Sequence, residues 1–218
     1  MEIPVKNNLL QRLADKSITK KDLLHTIEED FSVLPIIIEG VSSPKAAIRY
    51  GCSSVLMDLS RNHPEKLYPY MEKFEALLDS RYRILTWNAL AIIANLATVD
   101  VDRRFDALFT RYYSLLDNDY MVTVANVVGN SGKIALAKPY LAQRIADELL
   151  KIDKISTTPH LTEECKRVIT EAAIESFDAF FNQIKKRDQV LKFVKSQLNS
   201  PRVSLRVKAE RFIMKWDH

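Results

Sequence analysis

Apolar residues recur along most of the chain at intervals of three and four, the spacing of an amphipathic helix. In the segment that starts at Leu85, one predicted helical face carries Leu85, Ala89, Ile92, Ile93 and Leu96. In the last segment, the same spacing relates Leu205, Ala209, Phe212 and Trp216. The hydrophobic pattern therefore predicts helices from one end of the chain to the other.

These helical segments repeat along the chain. Similar windows start at Ile48, Leu85 and Val122, two steps of 37 residues, and further windows start at Cys165 and Leu205 after steps of 43 and 40. A short polar break and an earlier apolar segment precede most of them. Helix pairs with a period near 40 residues are typical of an α-solenoid. The predicted pairs are 5–15 with 20–29, 31–41 with 45–61, 65–78 with 82–98, 102–116 with 119–131, 138–152 with 160–184, and 187–198 with 202–217.

Local signals refine the helix ends. Thr19 and Asp22 have the spacing of a capping box, with Asp where Glu is usual. Pro159, followed by Thr162 and two glutamates, is expected to open the long helix 160–184. The segment 129–133, Gly-Asn-Ser-Gly-Lys, resembles the tail of a phosphate-binding loop but lacks its first glycine and its final Ser or Thr. We instead expect a turn there, with Gly129 ending a helix in a left-handed cap.

Composition agrees with an all-helical fold. The chain has only four glycines among 218 residues, too few for the turns of a β-sandwich or a doubly wound sheet.

Its two cysteines do not form a disulfide framework, so a reducing, cytoplasmic compartment is expected. The longest uncharged stretch, 84–99, has 16 residues, and a membrane span needs about 20. The opening residues 1–6 lack the apolar core of a signal peptide. No membrane association is predicted.

The segments 33–59 and 74–96 resemble HEAT repeats. Asp79 and Asp117 stand where these repeats carry an Asp near the turn, and Ile48-Arg49 and Leu205-Arg206 match their apolar-Arg pair. Leu85-Thr86 and Val122-Thr123 lack the Arg, so an incomplete Asp–Arg ladder is expected. The resemblance implies a right-handed α-α superhelix of five to six HEAT-like helix pairs in a single domain, 1–218. Within it we predict an N-terminal capping pair over 1–30, central repeats over 31–184 and a basic C-terminal capping pair over 185–218.

The residue pattern does not predict a catalytic or metal site. The four histidines, His25, His63, His160 and His218, lie far apart, and none is spaced from a cysteine as metal ligands are. Cys52 and Cys165 are expected to be packing residues. The carboxylate runs 28–30 and 163–164 lack a partner group and are expected to lie on solvated helix faces. We therefore predict no catalytic residue, metal or cofactor, and no enzymatic activity.

Two sets of residues are candidates for binding. Trp87 lies off the apolar stripe of its helix, and Asn88 and Asn95 lie on a further face. Asn is a poor helix former, so its recurrence suggests a polar use. Armadillo-like proteins hold peptide backbones with Asn and Trp on such helices, although the spacing here differs because Ala91 stands where an Asn is expected. The alternative for these three residues is packing between adjacent repeats.

The second set is basic. Residues 183–218 carry a net charge of +7, although the whole chain carries only +4. The predicted patch consists of Lys192, Lys195, Arg202, Arg206, Lys208, Arg211 and Lys215. It either binds phosphates or an acidic partner, or is the solvated outer face that a terminal repeat requires. On this pattern, reversing Lys208, Arg211 and Lys215 to Glu is expected to leave folding intact.

These features favour a non-enzymatic scaffold that binds a protein partner on its solenoid surface. The alternative is a nucleic-acid-binding protein that uses the basic C-terminal helices. A family of DNA glycosylases for alkylated bases is similar in size and architecture and needs a basic groove. The middle of this chain argues against such a groove, because residues 84–99 carry no charge.

Overall fold

The structure, a computed structural model, describes residues 3–217, and side chains from residue 9 onward. Met1, Glu2 and His218 lie outside the described residues. Helices joined by short turns make up the described part, where the β-type pairing is one isolated bridge between Thr158 and Leu161. The chain divides into two compact units, Met1–Val101 and Asp102–His218.

The first unit contains seven α-helices within the described residues. They are α1 (Ile3–Ala14), α2 (Lys20–Glu29), α3 (Leu34–Gly40), α4 (Ala46–Asn62), α5 (Pro64–Leu67), α6 (Met71–Ala76) and α7 (Arg83–Leu96). Short 3₁₀ turns at Phe31–Val33, Tyr68–Tyr70 and Leu77–Asp79 adjoin α3, α5 and α6. Because 3₁₀ turns interrupt them, the first helices of the pairs are short, while α4 and α7 are long and pack against each other.

The second unit repeats this arrangement with longer helices. In its described part they are α8 (Arg104–Ser114), α9 (Met121–Ala137), α10 (Ala142–Leu149), α11 (Glu163–Phe180), α12 (Arg187–Lys195) and α13 (Val203–Trp216). Helix α11 packs on α9 along one side and on α13 along the other. Buried aromatic side chains fill much of the interior, among them Phe105, Phe109, Tyr112, Phe177, Phe180 and Phe181.

Most predicted helices are confirmed within a few residues, but the prediction for Gly129 is wrong. Helix α9 continues to Ala137, and no glycine has a positive φ. The left-handed residues in the described part are Lys16 (φ 64°) and Arg103 (φ 57°). Gly132 instead allows close packing, since a Cβ there would lie 3.3 Å from the Ser176 Cα of α11. At that contact the Ser176 hydroxyl donates to the Val128 carbonyl at 2.7 Å.

The capping box at Thr19 is confirmed, and the long helix expected to open at Pro159 begins at Glu163. The Thr19 hydroxyl accepts from the Asp22 amide at 3.1 Å, and the Thr19 amide donates to the Asp22 carboxylate at 2.9 Å. Thr162 caps α11 by accepting from the Cys165 amide. Both caps satisfy backbone groups that a helix start leaves without partners.

The arginines of the apolar-Arg pairs bind the turns of their own repeats. Arg49 donates to the carbonyls of Ser43 and Pro44 at 2.9 and 3.2 Å, and Arg206 donates to the Ser200 carbonyl at 2.6 Å. Thr86, where the Arg is missing, donates to the Leu77 carbonyl at 3.1 Å. Each side chain therefore ties its helix to a carbonyl at or before the preceding turn.

The long step between the third and fourth windows has a structural cause. The connection between α10 and α11 folds back onto the start of α9, where the Thr158 hydroxyl donates to the Asp119 carbonyl at 2.9 Å. His160 stacks on Tyr120 with ring centroids 4.6 Å apart. The extra residues thus cover the end of a neighbouring helix. In the described part, no helix combines the length and hydropathy needed to cross a membrane.

Gly129 and Gly132 provide a matched test of this packing. Gly129→Ala should raise the free energy of unfolding by about 0.5–1 kcal/mol, because a Cβ there meets nothing within 4 Å and Ala favours the helix. Gly132→Ala should lower it by about 1 kcal/mol, because crowding against α11 outweighs the same gain. Urea denaturation of both variants measures the difference, and equal stabilisation by both would contradict close packing at Gly132.

Candidate partner-binding surface

After the exposed Arg83 at its start, the accessible face of α7 carries no charge. Between Ile84 and Leu96, the side chains that reach solvent are Ile84, Trp87, Asn88 and Ala91, and the remaining residues are buried. Their spacing of three and four places them on one helical face. Ile84 is 42% exposed, and Trp87 is half-buried. A solvent-facing stripe of a large aromatic, an isoleucine and one amide is unusual on a helix, whose outer face is normally polar.

Asn88 and Asn95 join α7 to α4. The Asn88 amide donates to the Ser53 hydroxyl at 2.9 Å, and the Asn95 amide donates to the Ser60 hydroxyl at 2.8 Å. Asn95 is only 5% exposed, whereas Asn88 is half-buried. Of the two predicted binding asparagines, therefore, Asn95 lies inside the packing between repeats and Asn88 lies at its edge, where its amide also faces solvent.

An aromatic cluster lies at the start of the same two helices. The guanidinium carbon of Arg49 is 3.8 Å from the ring centroid of Tyr82 and 4.7 Å from that of Tyr50. The Tyr50 and Tyr82 rings meet edge to face at 6.3 Å, and both side chains are half-buried. Arg49 itself is buried, and its Nε has no hydrogen-bond partner among the described residues. Stacking holds this guanidinium where its hydrogen bonds are incomplete.

Helix α9 of the second unit has a similar outer face. Val122 is 42% exposed, and Asn126, Gly129 and Asn130 follow it on the accessible side. The side-chain amides of Asn126 and Asn130 donate to carbonyls four residues earlier, those of Val122 and Asn126, both at 2.8 Å. In α9 the asparagines are therefore bonded within their own helix, unlike those of α7.

The predicted basic residues of α13 face the acidic side of α11. Arg202, just before α13, binds Glu171 and Glu164, and Lys208 contacts Glu175 at 2.5 Å and Glu171 at 3.3 Å. Near the C-terminal end, Lys215 and the Trp216 indole both donate to Asp178, at 2.9 and 2.6 Å. These contacts follow the two helices from one end to the other.

Glu171 is the most buried member of this ion-pair ladder, with a side chain 10% exposed. Burial by itself would raise the pKa of Glu171. Hydrogen bonds from Ser204, Arg202 and Lys208 outweigh that effect and hold the pKa below its usual value. Burial also opposes the charge of Lys208, but its pairing with Glu175 and Glu171 raises the Lys208 pKa overall.

Two more of the seven basic residues are engaged. Lys195 pairs with Asp217 at 2.7 Å, and Arg206 donates to its own turn. Only Lys192 and Arg211 have no ion-pair or hydrogen-bond partner among the described side chains. Arg211 lies on a groove of about 240 Å³ between α11 and α13, whose other charged side chains are already paired. Reversing Lys208, Arg211 and Lys215 to Glu is therefore expected to destabilise the fold. The new carboxylates at positions 208 and 215 would face Glu171, Glu175 and Asp178.

Sequence reasoning identified one side of each contact and missed the other. Ser53 and Ser60 were not recognised as partners of Asn88 and Asn95, nor was the acidic side of α11 as the partner of α13. A signal was present: the serines, the asparagines, Glu171 with Asp178, and Lys208 with Lys215 are all pairs seven residues apart. Seven residues are close to two helical turns, so both members of each pair lie on one face.

The remaining candidates for chemistry are the thiols and the side chains that could hold a metal ion. Burial raises the pKa of the Cys52 thiol to about 12. No group of three His, Cys, Asp or Glu side chains that could hold a metal ion occurs in the part of the chain that the structure describes.

Comparison with known proteins places the fold. No protein-family model and no curated protein sequence matches the chain. A designed armadillo repeat protein matches with a TM-score of 0.64 at 17% identity, over 98% of this chain and 94% of its own. A second such design, solved in complex with the peptide (KR)4, matches with a TM-score of 0.62 at 12% identity, over 94% and 90%. An engineered protein of a structural genomics consortium matches with a TM-score of 0.51 at 14% identity, over 96% of this chain and 87% of its own.

The helix pairs and these likenesses define the class of protein. The chain has the all-α superhelical fold of repeat α-solenoids, as the sequence predicted. The resemblance of the sequence to HEAT repeats agrees closely with these matches, since HEAT and armadillo repeats both stack helix pairs.

Glu171→Gln tests the ion-pair ladder. At pH 7 the substitution should lower the free energy of unfolding by about 1–2 kcal/mol, because Arg202 and Lys208 lose a charged acceptor. The folded-state pKa of Glu171 lies below its usual 4.5, so this contribution is present above about pH 4.5 and is lost as the pH falls through the folded value. Denaturation at pH 7 and pH 3 should show a difference from the unsubstituted protein that shrinks at pH 3. Glu210→Gln, exposed on α13, is the control and should change little at either pH.

Proposed function

We propose that this protein is a non-enzymatic interaction module that binds an extended segment of a protein partner across the outer face of α7. The observation that carries the proposal is the uncharged stripe of Ile84, Trp87, Asn88 and Ala91. A half-buried tryptophan is the residue type most often found at the energetic centre of protein interfaces. An apolar stripe on a surface helix favours contact with a partner over contact with water.

Asn88 adds a polar contact beside this stripe. One amide hydrogen is donated to Ser53, so the side chain is held in a fixed orientation before a partner binds. Its carbonyl oxygen and second amide hydrogen are directed away from that bond and suit the N–H and C=O groups of an extended backbone. Asn95, buried against Ser60, supports the packing beneath this surface.

The comparisons support a peptide-like partner. One of the matching designs was solved with the bound peptide (KR)4, and its fold is shared over most of both chains. That peptide is strongly basic, whereas the α7 stripe of this protein has no acidic residue. The ligand proposed here therefore differs in chemistry from the ligand of the design. Both cysteines are free thiols, which is consistent with the cytoplasmic location that we propose.

Selection of random peptides tests the proposal. Displayed peptides about twelve residues long span about 40 Å when extended, enough to follow several helices. We expect the enriched peptides to bind Trp87→Ala at least about tenfold more weakly, because the aromatic anchor is lost. Asn88→Ala should weaken binding by about threefold to tenfold through the lost backbone contact. Fluorescence anisotropy with purified full-length protein measures both.

Two controls separate binding from stability. Met214→Ala removes an apolar side chain that is 78% exposed on α13 and should leave peptide affinity unchanged. Asn95→Ala should lower the free energy of unfolding by about 1–3 kcal/mol, because Ser60 loses a buried partner, while its direct effect on binding stays small. Enriched peptides that bind Trp87→Ala and Asn88→Ala with unchanged affinity would place the site elsewhere.

Nucleic-acid binding through the basic C-terminal helices is the alternative. The exposed side chains of Lys192 and Arg211 favour it, because they have no ion-pair partner in the described part of the chain. The pairing of Arg202, Lys208, Lys215 and Lys195 argues against it, since each carboxylate competes with a phosphate.

Duplex binding at two salt concentrations decides between these proposals. With mixed-sequence DNA and RNA duplexes at about 50 and 200 mM salt, we expect no binding that falls steeply with salt, because most residues of the predicted basic patch are already ion-paired. Tight, steeply salt-dependent binding that is lost in a Lys192→Glu and Arg211→Glu double variant would favour the nucleic-acid alternative. A Lys73→Glu and Lys154→Glu double variant carries the same net charge and is the control.

A further inference from the structure

The first unit contains an apolar hollow that the proposed function does not use. Its volume is about 510 Å³, within the range of about 300–1,000 Å³ that is usual for ligand pockets. Leu13 and Ile18 line one side, and Ala46, Ala47, Tyr50 and Gly51 of α4 line the other. The hollow therefore lies where the turn between α1 and α2 meets the first two turns of α4.

Small residues on α4 leave this space open. Ala46 and Ala47 both contribute only a methyl group, and both are exposed. Gly51 lies where α1 passes close to α4 and leaves little room for a side chain, since a Cβ there would lie 2.7 Å from the Leu13 Cδ2. Tyr50 supplies an aromatic wall, held edge to face against Tyr82. Such a wall of aromatic and aliphatic groups suits an apolar side chain of a ligand.

The polar rim of the hollow has one sign of charge. Lys16 and Lys20 are the charged residues that line it, both are exposed, and neither has an ion-pair partner among the described side chains. The nearest carboxylates along the chain lie outside the lining and are hydrogen-bonded within their own turns. Asp15 accepts from the amide and hydroxyl of Ser17 at 3.0 and 2.6 Å, and Asp22 accepts from the amide and hydroxyl of Thr19 at 2.9 and 2.8 Å.

A third lysine lies just outside the lining. Lys45 immediately precedes α4 and is exposed, and its ammonium group donates to the neutral Gln11 amide at 3.1 Å. A neutral partner leaves the charge uncompensated. Three lysines stand against the two carboxylates of Asp15 and Asp22, so the mouth of the hollow has a net positive charge. An occupant that carries carboxylates beside an apolar group would gain from both features.

We propose that the hollow receives a bulky apolar side chain of the partner segment, and that acidic residues next to that side chain pair with Lys16 and Lys20. This inference rests on the proposed function and gives the partner a chemical description: an acidic segment with an aromatic or aliphatic anchor. Tyr50 lies on α4 one turn before Ser53, the residue that orients Asn88. A single extended segment then contacts α7 with one part and fills the hollow with another.

The random-peptide selection tests this inference through the composition of the enriched peptides. We expect an aromatic or large aliphatic residue flanked by Asp or Glu. Replacing those acids by Asn or Gln should weaken binding by about tenfold at low salt and by less at high salt, because screening reduces the contribution of exposed charges. Enriched peptides that lack acidic residues, or that bind equally after this replacement, would overturn the inference.

Substitutions in the protein test the location. Ala47→Trp fills the hollow from an exposed position and should weaken peptide binding by at least about tenfold. Ala107→Trp, exposed on α8, is the matched control and should leave affinity unchanged. The Lys16→Glu and Lys20→Glu double variant should weaken binding by about tenfold or more, since repulsion replaces attraction. The Lys73→Glu and Lys154→Glu variant carries the same net charge and should bind within about twofold of the original.

The combined results distinguish the two proposals. Peptides that need Trp87 and Asn88 but tolerate Ala47→Trp would support the proposed function and overturn the inference. Peptides that need the hollow but tolerate Trp87→Ala would support the hollow as a site and overturn the surface on α7. A selection that enriches no peptide would overturn both. Thermal melting of Ala47→Trp and of the lysine variants confirms that a lost affinity does not come from unfolding.

Discussion

The contact between successive second helices within each unit is the interaction on which the rest of the structure depends. Helix α4 packs on α7 in the first unit, and α11 packs on α9 and α13 in the second. Burial of apolar side chains at these contacts supplies most of the stability, but apolar contact alone does not fix how far one helix is shifted along the next. Polar side chains fix that shift, because a buried donor that slides away from its acceptor loses the bond without replacement. The hydroxyls of Ser53 and Ser60 do this for α7, and Glu171 and Asp178 do it for α13.

The two units fix the position of one helix along the next with different chemistry. That difference determines which surface each unit presents to a binding partner. Neutral serine–asparagine bonds join α4 to α7, so the outer face of α7 from Ile84 onward needs no charged residue to hold the contact. Ion pairs join α11 to α13, so the carboxylates that position α13 also neutralise its cations. A helix pair held by neutral bonds can therefore present an uncharged binding stripe. A pair held by ion pairs presents charges that a ligand must first displace from their partners.

The sequence predicted the fold well because its signals are local and periodic. The apolar stripes and the capping box at Thr19 are read from neighbouring residues, and the 37-residue spacing from the recurrence of such stripes along the chain. The turn expected over 129–133 was wrong because glycine both ends helices and allows close packing. Gly132 serves the second role, which only the position of α11 reveals. The serines that bond to the α7 asparagines, and the carboxylates of the ion-pair ladder, were missed because each bond joins residues more than thirty positions apart. The sequence shows both residues but not the contact between them. The hollow lined by Tyr50 depends on how α1 docks on α4, which no local signal encodes.

Charge along the chain is a poor guide to charge that a partner can use. The last 36 residues carry +7, yet α11 supplies carboxylates to Arg202, Lys208 and Lys215. Lys16 and Lys20 contribute far less to the count, but they line the hollow without an ion-pair partner among the described side chains, and the nearby Asp15 and Asp22 are hydrogen-bonded to Ser17 and Thr19 instead. What a ligand experiences is the charge left after intramolecular pairing, weighted by the exposure of each group. By that measure the lining of the hollow between α1 and α4 is positive, and the ligand that we propose for it combines an acidic group with a hydrophobic one.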